Sequence, residues 1–436
     1  MNKKVTFKTA PNGILTGSIR VTGDKSISHR SIMLGALAKG TTNVSGFLNG
    51  EDCLATLKAF RDMGVEIEGP ENGKVTLHGV GMHGLNPPKT VLDMGNSGTA
   101  MRLLTGIMAG QTFATTLVGD GSLSSRPMRR ITRPLEQMGA TITTGDGGTP
   151  PLSIKGEQSL AGIHYDLPMA SAQVKSAILL AGLYADGETS VTEPAVTRDH
   201  TERMLRGFGY EVVTEGNRMS LQGGGELTAC DIDVPADISS AAFFMVGASI
   251  AVGSDLILEH VGVNPTRTGV IDILKRMGAD ITLLNQKEVG GEPVADIRIR
   301  SATLKGIQIP EALVPLAIDE FPALFVAACF AEGQTVLTGA EELRVKESDR
   351  IQVMADGLLA CGADVIPTDD GIIINGGYLR SGEIDSHGDH RIAMAFAMAG
   401  LCADGSITIH DCENVDTSFP NFIETASTAG VKVSIA

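Results

Sequence analysis

Six polar residues stand 14 positions ahead of six glycines: Ser26, Asn96, Gln173, Ser239, Asp319 and Arg391 precede Gly40, Gly110, Gly187, Gly253, Gly333 and Gly405. An apolar run separates each pair, as in Ala323-Leu324-Phe325-Val326-Ala327-Ala328-Cys329-Phe330. Each polar residue therefore falls at the start of a helix that is apolar all round. Ser, Asn and Asp in that place read as N-caps. Lys25 and Arg391 do not, because a cation opposes the positive end of the helix dipole. An anion lying between the cation and the helix end removes the conflict.

Further cations gather in loops of the same character: Ser124-Ser125-Arg126-Pro127-Met128-Arg129-Arg130, Thr197-Arg198-Asp199-His200 and Arg344-Val345-Lys346-Glu347-Ser348-Asp349-Arg350. A solvated charged face accounts for any one loop. Recurrence at equivalent places argues instead for Arg and Lys converging on a small, multiply anionic substrate. Acids stand beside these bases. Asp319-Glu320 interrupts an apolar run, so at least one carboxylate must be partnered or functional. Glu347 lies between Lys346 and Arg350, either as an ordinary i,i+3 pair or as a group poised to exchange a proton.

Other chemistries find little support. Gly17-Ser18-Ile19-Arg20-Val21-Thr22-Gly23-Asp24-Lys25-Ser26 has one residue too many between its glycines for a nucleotide-binding loop. His387-Gly388-Asp389-His390 offers no third metal ligand, so no metal is expected. The six cysteines are scattered without a CxxC pair, as in a reducing cytoplasm.

The elements that position these residues repeat. A second set of glycines, Gly64, Gly139, Gly209, Gly278, Gly362 and Gly430, recurs at intervals of 68 to 84 residues, each closing an amphipathic helix ahead of a strand. Each unit reads as apolar helix, strand, amphipathic helix, strand, with extra strands between. Six units make two domains of three, which suits the 436-residue length. Helices apolar on every side belong inside those domains. The seam is expected at Asp233-Val234-Pro235-Ala236-Asp237.

Composition narrows the partners. Lys+Arg 35 against Asp+Glu 51 gives −16, which excludes a nucleic-acid binder relying on bulk positive charge. Aromatic residues at 4%, with no Trp, provide no stacking platform. The start of the chain has no apolar leader, and the uncharged run 238–254 carries too many Ser and Gly for a membrane span. A cytoplasmic protein is expected, with no membrane partner.

Taken in order, the motifs Gly23-Asp24-Lys25-Ser26-Ile27-Ser28-His29-Arg30, Gly95-Asn96-Ser97-Gly98-Thr99-Ala100-Met101-Arg102, Arg126-Pro127-Met128, Ser171-Ala172-Gln173, Arg198-Asp199-His200-Thr201-Glu202, Ile318-Asp319-Glu320, Arg344 to Arg350 and Asp389-His390-Arg391 resemble the 5-enolpyruvylshikimate-3-phosphate synthases along essentially the whole chain. The resemblance implies a two-domain inside-out α/β barrel, each domain three βαβαββ-type units around buried helices. It also implies that residues 22–234 form one domain and 1–21 with 235–436 the other, the active site lying in the cleft between them. The implied reaction is cofactor-free transfer of the enolpyruvyl group of phosphoenolpyruvate to the 5-hydroxyl of shikimate 3-phosphate, with phosphate released, in a monomer.

The same resemblance assigns roles. Lys25, Ser26, Arg30, Ser171, Ala172, Gln173, Arg198, Asp319 and Lys346 would hold shikimate 3-phosphate. Lys25, Asn96, Gly98, Arg126, Gln173, Arg350 and Arg391 would hold phosphoenolpyruvate. Asp319 would act as base at the 5-hydroxyl and Glu347 would shuttle the proton at C3, with Lys25 as a third catalytic group. Thr417, standing where many members carry Lys, and Arg198-Asp199-His200 resemble a divergent second branch of the family, some glyphosate-tolerant members of which carry Ala where this chain has Gly98. UDP-N-acetylglucosamine enolpyruvyl transferases are the nearest alternative, but many carry a Cys in the loop matching 123–128 and none stands here. Intact Lys25, Asp319, Glu347, Arg350 and Arg391 count against a non-catalytic binder of phosphorylated metabolites.

Overall fold

Helices that are apolar on every side need an interior, and two interiors are found in the computed structural model, which describes residues 5–436. One unit comprises Gly23–Val234 with Val289–Glu292; the other comprises the chain up to Thr22, Pro235–Glu288 and Pro293–Ala436. Thr22 belongs with the latter because its carbonyl accepts from Asp237 N at 2.8 Å. Val289–Glu292, expected with 235–436, belongs with the former. Glu292 meets His200 Nδ1 at 2.9 Å, and the Gly291 carbonyl accepts from Arg203 at 3.0 Å.

The 23–234 unit holds α1 (Lys25–Leu37), α2 (Glu51–Asp62), α3 (Gly98–Ala109), α4 (Arg129–Gln137), α5 (Ala172–Gly182) and α6 (His200–Gly207). The other holds α7 (Ile238–Ile250), α8 (Gly269–Arg276), α9 (Phe321–Cys329), α10 (Arg350–Ala360), α11 (His390–Ala399) and α12 (Phe422–Ala429). Odd-numbered helices form the interior: all nine residues of α9 are buried, and α7, α9 and α11 pack on one another. Even-numbered helices bury one face only, as α2 does with Cys53, Thr56, Leu57 and Phe60.

One sheet accompanies each repeat, three per unit among the described residues. In the second repeat Leu92–Asp93 enters parallel to Thr115–Val118, the strand leaving α3; Leu152–Ile154 and Ile142–Thr144 follow antiparallel. This βαβαββ order places sheets outside and apolar helices inside each unit, an inside-out α/β architecture. The last repeat borrows its missing strand: Phe7–Thr9 lies between Asp404–His410 and Val433–Ile435. Thr16–Ile19 then runs parallel to Asp255–Gly262. The start of the chain thus completes two sheets of the 235–436 unit.

All six cap glycines have φ between 79° and 107°, the left-handed region that ends a helix without a Cβ clash. Five of the six turn glycines also have positive φ, but Gly110 has φ −93°. Its reason is close approach, since a Cβ there would stand 2.3 Å from the Tyr184 ring. Among the described residues no helix is long and apolar enough to cross a membrane.

Gly106 sets how near α3 comes to α5, because a Cβ would lie 2.3 Å from the Ala177 carbonyl oxygen. Gly106→Ala must separate two backbones and should cost roughly 1–3 kcal/mol. Urea unfolding measures this, and an unchanged midpoint would show that the helices part freely.

Candidate active site

Each buried helix of the 23–234 unit begins at a side-chain cap. Asp24 accepts from Ile27 N at 2.8 Å, Ser97 from Ala100 N at 3.2 Å and Ser171 from Val174 N at 3.4 Å. Lys25 opens α1 and pairs with Asp52 of α2. One turn on, buried Arg30 donates to Thr201 Oγ1 at 2.7 Å, to the Ser26 carbonyl at 2.9 Å and to Ser176 Oγ at 2.9 Å. Burial lowers the Arg30 pKa to about 10 against the pull of Glu202 and Asp24, and the charge of Arg198 adds to the lowering. Two guanidinium groups held close enough to repel suit a dianion.

A second chain of contacts runs across α3 and α5. Arg102 donates to Gln173 Oε1 at 2.6 Å, and Gln173 Nε2 donates to Thr99 at 3.0 Å. Arg126 donates to Asn96 Oδ1 at 2.7 Å, while Asn96 donates to Asp120 at 2.8 Å. Gly98, the first residue of α3, lies beneath both guanidinium groups. A Cβ there would be 3.1 Å from Arg102 and 3.2 Å from Arg126. A helix N-terminus under two arginines is built for a phosphate or carboxylate. Ala172 opens α5 and has only its backbone to offer.

In the 235–436 unit the centre is Arg350, 1% exposed at the start of α10. It donates to Asp389 Oδ2 at 2.8 Å, to Glu347 Oε2 at 2.6 Å and to Asp319 Oδ1 at 3.4 Å. Burial alone would lower its pKa, but Asp389, Glu347 and Asp319 outweigh burial and raise it. Asp319, directly ahead of the cap residue of α9, also meets Lys346 at 3.7 Å and Arg391 at 3.9 Å. Arg391 donates to the Asp319 carbonyl at 3.0 Å. Asp389 caps α11 by accepting from Arg391 N at 2.9 Å. A carboxylate among three cations, with a second carboxylate on the same arginine, can take and return protons without leaving isolated charge.

The residues singled out from sequence thus fall in two sets. Lys25, Ser26, Arg30, Asn96, Gly98, Arg126, Ser171, Ala172, Gln173 and Arg198 lie at or beside helix starts in the 23–234 unit. Asp319, Lys346, Glu347, Arg350 and Arg391 cluster in the other. Sequence reasoning gave no role to Arg102, whose signal was its place one turn into α3, or to Asp389, which stood only within the Asp389-His390-Arg391 motif. Thr417 is buried and donates to the Asn414 carbonyl at 2.6 Å, so the position of the family lysine closes a turn.

Six repeats of sheet around apolar helices, with cations and acids at the helix starts, define an enolpyruvyl transferase fold. The enolpyruvyl transferase NikO from Streptomyces tendae shares it with a TM-score of 0.79 at 14% identity, 99% of each chain being covered. Within that class the chain belongs to the EPSP synthase (3-phosphoshikimate 1-carboxyvinyltransferase) family, which matches residues 9–426. The 3-phosphoshikimate 1-carboxyvinyltransferase of Methylococcus capsulatus is 66% identical over 435 residues, covering 100% of both chains. That of Hydrogenovibrio crunogenus is 66% identical over 441 residues, covering 100% of this chain and 99% of the relative. The solved EPSP synthase of Acinetobacter baumannii superposes with a TM-score of 0.90 at 65% identity, covering 99% of this chain and 100% of that one.

Asp389 is wholly buried, and although burial opposes ionisation, Arg350 holds its pKa below the ordinary value. The stability this gives is fully present above the unfolded carboxylate pKa of about 3.9 and is lost as pH falls through the lowered folded value. Asp389→Asn should therefore flatten the acid limb of the stability–pH curve. At neutral pH it should cost about 3–5 kcal/mol, since Arg350 loses a buried counter-charge. Denaturant unfolding across pH tests both effects; an unaltered acid limb would remove the pair from the account.

Proposed function

We propose that the chain transfers the enolpyruvyl group from phosphoenolpyruvate to the 5-hydroxyl of shikimate 3-phosphate and releases inorganic phosphate. The observation that carries this reading is Arg350, one buried guanidinium tied to both Asp319 and Glu347. Asp319 takes the proton of the 5-hydroxyl as its oxygen bonds to C2 of phosphoenolpyruvate, and Glu347 delivers a proton to C3. Loss of a C3 proton to Glu347 and of phosphate from C2 then restores the double bond. Electron demand at C2 is met by placed charge and needs no covalent enzyme intermediate.

Lys25, Ser26, Arg30, Ser171, Ala172, Gln173, Arg198 and Lys346 take shikimate 3-phosphate, with Asp319 on its ring hydroxyl. Lys25, Asn96, Gly98, Arg126, Gln173, Arg350 and Arg391 take phosphoenolpyruvate, and Arg102, from the same helix start as Gly98, joins them. The enzyme works as a cytoplasmic monomer on free metabolites, and its −16 net charge sets it against nucleic acid.

Phosphate release from phosphoenolpyruvate should require shikimate 3-phosphate; release with a UDP-sugar, or with neither, would sink the assignment. In that assay Asp319→Asn and Glu347→Gln should each lower kcat by about 10²–10⁴ with little change in KM, as befits general acid–base groups.

Gly98→Ala offers a finer test. The new methyl would press on the Arg102 and Arg126 guanidinium ends, which can yield by a few tenths of an ångström. KM for phosphoenolpyruvate should rise by about tenfold, the loss of one charged hydrogen bond, with kcat held. An equal rise in the KM of shikimate 3-phosphate would place Gly98 elsewhere.

A further inference from the structure

Lys175 is a charge in the wrong place for a solvated side chain: on apolar α5, 1% exposed. Its ammonium lies 2.8 Å from Glu202 and 3.2 Å from Glu193, both equally buried. Such a cluster is costly to desolvate, so what it holds in place is informative. Both Glu193 oxygens are turned to one residue, Oε1 accepting from Thr197 N at 3.0 Å and Oε2 from Thr197 Oγ1 at 2.6 Å. The Glu193 N–H donates to the Asn217 carbonyl at 3.0 Å, tying the clamp to the hairpin that follows α6. The span between clamp and Thr197 is Pro194-Ala195-Val196, whose Pro194 and Val196 are exposed. Little packing holds this loop, and the next residue is Arg198.

The far side of Arg198 is anchored as well. Thr201 donates to Ser176 Oγ at 2.7 Å, and His200 meets Glu292. Ser176, adjacent to Lys175, also accepts from Arg30. One short stretch of α5 therefore holds Arg30 directly and, through Glu193 and Thr201, both flanks of Arg198.

We propose that Lys175 and Glu193 are positioning residues, a buried ion pair that sets the Thr197–Arg198 backbone and thereby places the Arg198 cation beside Arg30. The proposal rests on the reading above, in which Arg198 and Arg30 receive the phosphate of shikimate 3-phosphate. Lys175 and Glu193 do not touch substrate, so their loss loosens one cation without removing any binding group.

The test is steady-state kinetics on the full-length chain with Glu193→Ala, Glu193→Gln and Arg198→Ala, alongside thermal unfolding. Glu193→Ala should raise KM for shikimate 3-phosphate about tenfold, with kcat and the KM for phosphoenolpyruvate within about threefold of the parent. Glu193→Gln, which keeps an acceptor for Thr197 N, should fall between parent and Ala. Equal rises in both KM values, following loss of thermal stability, would mark the pair as structural only and overturn the proposal. So would a normal KM in Glu193→Ala while Arg198→Ala is impaired. A normal KM for shikimate 3-phosphate in Arg198→Ala would instead overturn the assignment of Arg198, and the clamp with it.

Discussion

Arg350 has no water to solvate it, so its charge must be answered by protein, and the three acids that answer it come from three places in the chain. Asp389 caps α11, Asp319 precedes α9, and Glu347 lies in the loop before α10. Meeting one guanidinium's demand therefore brings the starts of two buried helices and one surface loop to a common point. Removing any of these acids leaves charge in a low-dielectric interior, which is far costlier than losing an exposed pair. In the proposed reaction the same constraint serves the chemistry, because the paired cations hold the carboxylates in place as protons move.

That arrangement exists because the helices are inside. The first-turn N–H groups of an interior helix have no intrahelical partner, and every interior helix except α9 meets them with a side-chain cap. Asp24, Ser97, Ser171, Asp237, Asp349 and Asp389 all cap in this way, five of them on interior helices. Acidic caps then draw arginines, and arginines at helix starts draw anions. The proposed anion binding is thus one that the inside-out architecture favours.

Much of this was legible in the residue order. Repeats showed because a helix ending in the left-handed conformation needs Gly, and six such ends recur at regular intervals. The polar position 14 residues ahead of each turn glycine showed because polarity at the head of an apolar run is conspicuous. Partnerships between separate elements did not show. Nothing near Arg350 in sequence announces Asp389, and nothing near Glu193 announces Lys175. Lys175 did leave a trace, one cation within Val174-Lys175-Ser176-Ala177-Ile178-Leu179, which periodicity alone gives no means to interpret. Gly110 misled for the opposite reason: it matches its repeat in sequence but serves the Tyr184 ring next to it.

Comparing repeats shows how one scaffold yields structure in one place and chemistry in another. Ahead of α8, Arg267 meets Asp237 at 3.3 Å, Ser239 at 2.7 Å and Glu320 at 3.8 Å. At the first residue of α10, Arg350 meets Asp319 and Asp389 in a like relation, each arginine spanning the start of its own repeat's interior helix and that of the next. Ahead of α12, Thr417 closes the turn Glu413–Thr417, which carries acids but no arginine. The first two clasps differ in exposure, not in kind. Glu320 is 2% exposed and fully enclosed with its arginine, whereas Glu347 is 29% exposed on the side chain. Glu347 and Lys346 are added in the loop before α10, at the rim of an otherwise shared motif. An enclosed clasp can do no more than hold two helices together. A clasp with an open rim holds them equally well and leaves a carboxylate within reach of solvent, as the proposed role of Glu347 requires.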